Sequence, residues 1–274
     1  MELKTAKLQK HFYIYCAMFY ADNRTIGYKD WVSELKDKVI TALEKSNTPK
    51  LDMPMHSYHY LMGIFNPEGY EDNGKLMIPT KEVLDYVERM SALPELQELW
   101  KQYEPDFDTR LKDFEERFID IENLFKNHFD YEPDIKTFYL TRNWDTSGKC
   151  IKTKDGYYIL VGWKKEGINL NQILHELTHS YLDKCILTIP RDVNDYLKKM
   201  PEEVLGSYAN PTTYVEESII RALVVYLSHS EENIQNYSLV GTDLDMILPA
   251  KYLEVLEKDK PEKLTIEYLN KLAY

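Results

Sequence analysis

The stretch Asn169-Leu170-Asn171-Gln172-Ile173-Leu174-His175-Glu176-Leu177-Thr178-His179-Ser180-Tyr181-Leu182 constrains this chain more than any other. It carries His-Glu-x-x-His inside a segment that reads as an amphipathic helix. A helix repeats every 3.6 residues, so His175 and His179 stand one turn apart on one face. Two imidazoles at that spacing can hold one metal ion, and Glu176 beside them can reach a water at that ion. A catalytic zinc takes three protein ligands and leaves a position for water, so the fold must deliver a third ligand to that face. The motif is short enough to arise by chance, and its surroundings decide its weight.

The rest of the chain narrows the alternatives. Its net charge is −12, and its Lys and Arg are spread among acidic residues, as in Lys198-Lys199 before Glu202-Glu203. Nucleic acid needs a basic stripe, so it is excluded as a partner, and an anionic membrane surface is disfavoured for the same reason. Cys16, Cys150 and Cys185 are odd in number and form no Cys-x-x-Cys pair. They read as buried free thiols, neither a disulfide framework nor a structural zinc knuckle. No apolar run has the length of a membrane span. Lys4, Lys7 and Lys10 precede an apolar run over residues 11–21, a faint echo of a leader. Glu2, the interrupting Tyr13, Tyr15 and Tyr20, and the want of a clean cleavage site favour a buried N-terminal helix instead. A cytoplasmic chain is the corresponding expectation.

Periodicity predicts helices over residues 2–21, from a cap at Asp30 with Trp31, Leu35, Val39 and Leu43 inward, and from Pro79-Thr80 with Val83, Leu84, Val87, Met90 and Leu93 inward. Pro94 restarts helix through Leu96, Leu99 and Trp100. After Pro105, Phe107, Leu111, Phe114, Phe118, Ile121, Leu124 and Phe125 make one apolar stripe, which is core. Residues 49–78 are rich in Pro, Gly and Asn and read as loop, with His56 and His59 candidates for a cleft wall. The period changes to two over Ile135–Leu140, then over 150–153 and Tyr157–Trp163, with Asp155-Gly156 as a hairpin turn. Asn210-Pro211-Thr212-Thr213 caps an apolar helix running from Tyr214 to Leu227, and shorter helices follow at 243–257 and 261–272. The predicted class is α+β and mainly α-helical, a small antiparallel or mixed sheet packed beside the zinc-binding helix. A helical N-terminal region, 1–132, would precede a catalytic region, 133–274, in one compact unit.

The third ligand is best sought on the helix after Asn210. Glu216-Glu217 in so apolar a setting is costly to bury without a partner or a metal. The two point about 100° apart, so only one can easily be the ligand, and Glu217 is the best candidate. Arg221 is one turn further on its face. Two histidines from His-Glu-x-x-His plus a Glu on a later helix resemble the thermolysin-like zinc metallopeptidases, or gluzincins. Those commonly read Glu-x-x-x-Asp on the third-ligand helix, whereas Glu217-Ser218-Ile219-Ile220-Arg221-Ala222 has Arg in the fourth place. The segment is closer to a bacterial His-Glu-x-x-His family of unknown function whose second motif reads Glu-x-x-x-Arg-Ala.

That resemblance implies Zn2+ held by His175, His179 and Glu217, not Glu216, with Glu176 as general base in hydrolysis of a peptide or protein substrate. The alternatives are a non-proteolytic zinc-binding or sensing module, and a zinc hydrolase of a small amide or cell-wall peptide. An intact Glu176 speaks against an inactive relative. In the resembling enzymes the Asp accepts a hydrogen bond from a ligand histidine. Arg221 has no acceptor, so Asp183 or Glu216 would have to serve. Tyr208, Tyr214 and His229 are candidate oxyanion donors. Tyr157–Trp163 is the counterpart of the edge strand that pairs with substrate in those enzymes.

Overall fold

The computed structural model describes residues 5–7, 9–21, 30–50, 70–72, 75–77, 81–142, 148–153, 156–164, 167–168, 170–199, 210–228 and 247–272. By its contacts the chain divides into two units. One comprises Glu2–Glu116 and Lys136–Ile168, and the other Arg117–Ile135 and Asn169–Tyr274 together with Met1. The class is α+β and mainly helical with a small mixed sheet, as the periodicities predict.

The first unit opens with a short strand rather than a helix. β1 (Thr5–Lys7) pairs in parallel with a strand far along the chain, Thr5 opposite Phe138 and Lys7 opposite Leu140. Helix α1 (Gln9–Ala21) therefore starts at Gln9, later than the local pattern suggests. Every residue from Phe12 to Ala17 is buried, and so are Phe19 and Tyr20. A helix apolar all round has to be enclosed by its neighbours, here α2 (Asp30–Lys45) and α3 (Lys81–Ser91). The apolar part of the N-terminal run thus lies in a core helix. On α2, Leu35, Val39 and Leu43 face inward as their spacing demands. Between these helices, β2 (Tyr70–Asp72) and β3 (Lys75–Met77) form an antiparallel pair inside the stretch read as loop. His56 and His59 lie outside the described residues.

Helix α4 (Pro94–His128) is continuous, and Pro105 sits inside it. Proline removes one ladder hydrogen bond and usually breaks or kinks a helix. Here Pro105 lies on the exposed side, with Lys101 and Gln102 exposed one turn before it, so water can serve the carbonyl that loses its donor. The inward face is unbroken from Leu96, Leu99 and Trp100 to Phe107 and Phe114. Phe12, Trp100 and Phe107 pack in succession with tilted rings, at 5.5 and 5.0 Å between ring centroids.

The sheet belongs to this unit. Its order is β1, β4 (Ile135–Arg142), β6 (Gly156–Lys164), β5 (Gly148–Thr153), with β7 (Gly167–Ile168) added to β6. β5 and β6 make the predicted hairpin, Thr153 opposite Gly156. Gly156 has φ of 128°, a left-handed setting that favours glycine. One expectation is overturned. Tyr157–Trp163 is not an edge strand, because β6 has β4 on one side and β5 on the other. Its backbone groups are already used in the sheet, so it has no free edge to offer an extended peptide. Phe114 packs on Phe138 at 5.5 Å and joins α4 to β4. Phe114→Ala is expected to destabilise the fold by about 3–5 kcal/mol, read as a lower denaturant midpoint.

The second unit is built on two helices, α5 (Leu170–Leu182) and α7 (Pro211–Ser228), packed on one another. The short α6 (Val193–Leu197) and α8 (Ile247–Asp259) also pack on α7, and α9 (Ile266–Leu272) closes the chain's described part. Asn210 caps α7 by accepting a hydrogen bond from the Thr212 amide at 2.9 Å, with Pro211 at the first helical position. The end of α5 is held by an aromatic cluster: the Tyr181 ring lies 4.7 Å from Phe125 and 4.3 Å from Phe129. The Tyr131 hydroxyl donates to the Tyr181 carbonyl. Among the described residues no helix is long and apolar enough to cross a membrane, and all three cysteines are free.

Candidate metal centre

The two histidines come to the centre because α5 can bury everything around them. Ile173, Leu174, Leu177, Tyr181 and Leu182 fill the core, while His175 and His179 are only half-buried. The buried hydroxyls of Thr178 and Ser180 are satisfied within the helix. Thr178 donates to the Leu174 carbonyl and Ser180 to the Leu177 carbonyl, each at 2.6 Å. α7 is buried on most sides, through its own Tyr214, Val215, Ile219, Ile220 and Leu223. Its acidic pair Glu216-Glu217 is set towards α5.

Glu217 reaches both imidazoles. Its Oε2 lies 3.4 Å from His175 Nε2 and its Oε1 lies 3.4 Å from His179 Nε2. One ligand atom from each of His175, His179 and Glu217 can be chosen so that all three lie within 4.8 Å of one another. Among the described residues this is the only group of three that could hold a metal ion in this way. Two imidazoles and a carboxylate are the donor set of a hydrolytic zinc. Zinc bonds of about 2.0–2.1 Å in a tetrahedron put neighbouring ligand atoms about 3.4 Å apart. Each carboxylate oxygen stands at that spacing from one imidazole nitrogen, and a single ligand atom from each residue falls within 4.8 Å of the other two, so the three side chains can close on one ion.

Of the two candidate acceptors for a ligand histidine, Glu216 is the one in place. Its Oε1 lies 3.0 Å from His179 Nδ1, so with the proton on Nδ1 the imidazole donates to the carboxylate and presents Nε2 to Glu217. Asp183 is exposed one turn on. Glu216 and Glu217, adjacent in sequence, thus approach the two nitrogens of one ring. Glu176 is buried at 5% exposure, and its charge acts on His179.

The electrostatics are those of a pocket for positive charge. Burial would lower the pKa of His179, but Glu216 and Glu217, with Glu176 behind them, outweigh it and push the imidazole up to about 10. Burial would raise Glu217, but His179, His175 and the Arg221 guanidinium outweigh it and hold the carboxyl down at about 2. A cation between these groups takes the place of a proton.

Of the three candidate oxyanion donors, Tyr208 and His229 lie outside the described residues. Tyr214 is fully buried, with no surface on its hydroxyl for a substrate to meet. No family model matches the chain, and no curated protein or solved structure is significantly similar to it. The likeness to the thermolysin-like enzymes therefore rests on the motif residues themselves.

Proposed function

We propose that the protein is a zinc-dependent peptidase, with His175, His179 and Glu217 as metal ligands and Glu176 as general base. The observation that carries this reading is the meeting of the three donor atoms within 4.8 Å, next to a buried Glu176. When bound, zinc supplies a Lewis acid that polarises a carbonyl and brings the pKa of a water to about 7. Glu176 takes the proton from the attacking water and returns it to the leaving amine nitrogen. Glu216 holds the His179 ring in one tautomer and one orientation throughout. The substrate class is a peptide or protein.

The deciding experiment is an unbiased peptide-library digest with the purified chain, with and without a chelator, beside elemental analysis. About one zinc per chain and chelator-sensitive cleavage are expected. A chain without metal refutes the ligand assignment, and a metal-loaded chain that cuts nothing refutes the peptidase reading.

Two further results follow from the geometry. Glu216→Ala removes the acceptor at His179 Nδ1 and is expected to weaken zinc binding about 10- to 100-fold, measured by competition with a chromophoric chelator. In the metal-free chain His179 holds a proton at neutral pH, because its pKa lies near 10. Zinc must displace that proton, so affinity should rise about tenfold per pH unit from roughly pH 6 to 8. A flat profile in the same titration would remove His179 from the ligand set.

A further inference from the structure

Arg221 is the residue that sets this site apart from the thermolysin pattern, and its surroundings limit what it can do. It sits one turn after Glu217 on α7, with its Nε 3.7 Å from Glu217 Oε2. Its side chain is only 9% exposed, and Ile219, Ile220, Ala222 and Leu223 around it are buried. A guanidinium so enclosed is poorly placed to receive a substrate carboxylate. Nor can it accept a hydrogen bond from an imidazole, a task that Glu216 meets for His179. A buried permanent cation needs an anion beside it, and Glu217 supplies one at ion-pair rather than hydrogen-bond distance.

The two oxygens of Glu217 are placed differently. Oε1 lies near His179 Nε2, while Oε2 lies near both His175 Nε2 and the guanidinium. A carboxylate that faces a metal alone can give one oxygen or both. A cation fixed beside one oxygen draws that oxygen away from a second cation. We propose that Arg221 is a positioning residue: by engaging Oε2 it confines Glu217 to coordination through Oε1, and so keeps a coordination position open for water. This rests on the metal-site reading above and states how its coordination number is set.

The test uses the full chain loaded with zinc or cobalt(II) alone. X-ray absorption of the zinc-loaded wild-type chain should show four light-atom neighbours near 2.0–2.1 Å. Five neighbours, as from a carboxylate giving both oxygens, would overturn the proposal. Arg221→Met should lower the intensity of the visible cobalt bands severalfold, as a four-coordinate site becomes five-coordinate. Arg221→Lys, which returns a cation to the same turn, should restore much of that intensity. Bands in Arg221→Met equal to those of the wild type refute the role of Arg221 and leave the metal site standing. A wild-type chain that takes up neither metal refutes both. If Arg221→Met does not fold, the wild-type coordination number still decides.

Discussion

Glu176→Gln is expected to lower kcat on a peptide substrate by about 10²- to 10⁴-fold while about one zinc per chain is retained. In barrier terms this is about 3–5 kcal/mol. Gln keeps the volume and a carbonyl oxygen in a position that is 5% exposed, so the core of α5 is undisturbed. What it loses is the capacity to take a proton from water. Metal retention separates this loss from damage to the ligand set, because Glu176 is not one of the three converging ligands. Wild-type turnover in a zinc-loaded variant would place the general base elsewhere.

His179→Ala should abolish stoichiometric zinc uptake. The imidazole supplies one of three ligand atoms and also lies between two carboxylates, at 3.0 Å from Glu216 and 3.4 Å from Glu217. Removing it leaves two ligands and two acidic groups without their shared partner. The readout is thermal or denaturant unfolding with and without zinc. At zinc about a thousandfold above Kd, the wild-type chain gains about 4 kcal/mol of stability, and the variant should gain almost none. A variant that is stabilised as strongly as the wild type would exclude His179 from the site.

Much of this site is legible in the sequence because helical spacing is a strong local rule. His175 and His179 share a face by arithmetic, and an acidic pair inside an apolar helix points to a buried partner. That Glu216 serves His179 could be narrowed to two residues but not chosen, since the choice depends on how α7 is rotated against α5. The fold shows the same division. Leu35, Val39 and Leu43 reveal their face locally, and Asp155-Gly156 announces its hairpin. The β2–β3 pair was also within reach, because Asn73-Gly74 between Asp72 and Lys75 is a hairpin signal. What local reading misses is set by distant partners. Thr5–Lys7 is a strand only because β4 exists, and β6 is interior only because β4 takes its second side. Pro105 misleads for the opposite reason: its usual penalty is eased by an exposed position.

The parallel pairing of β1 with β4 has a bearing on how the chain assembles during synthesis. Thr5 emerges before Phe138, and its partner is translated only after α1 to α4 have been made. Closing so long a loop carries an entropic penalty that no early local contact repays, and contacts of this range slow folding. α1 and α2 can pair while the strand waits as an unmatched segment. This end strand of the sheet is thus among the last parts to dock, and a nascent chain halted before Phe138 has no complete β4 on which to seat it.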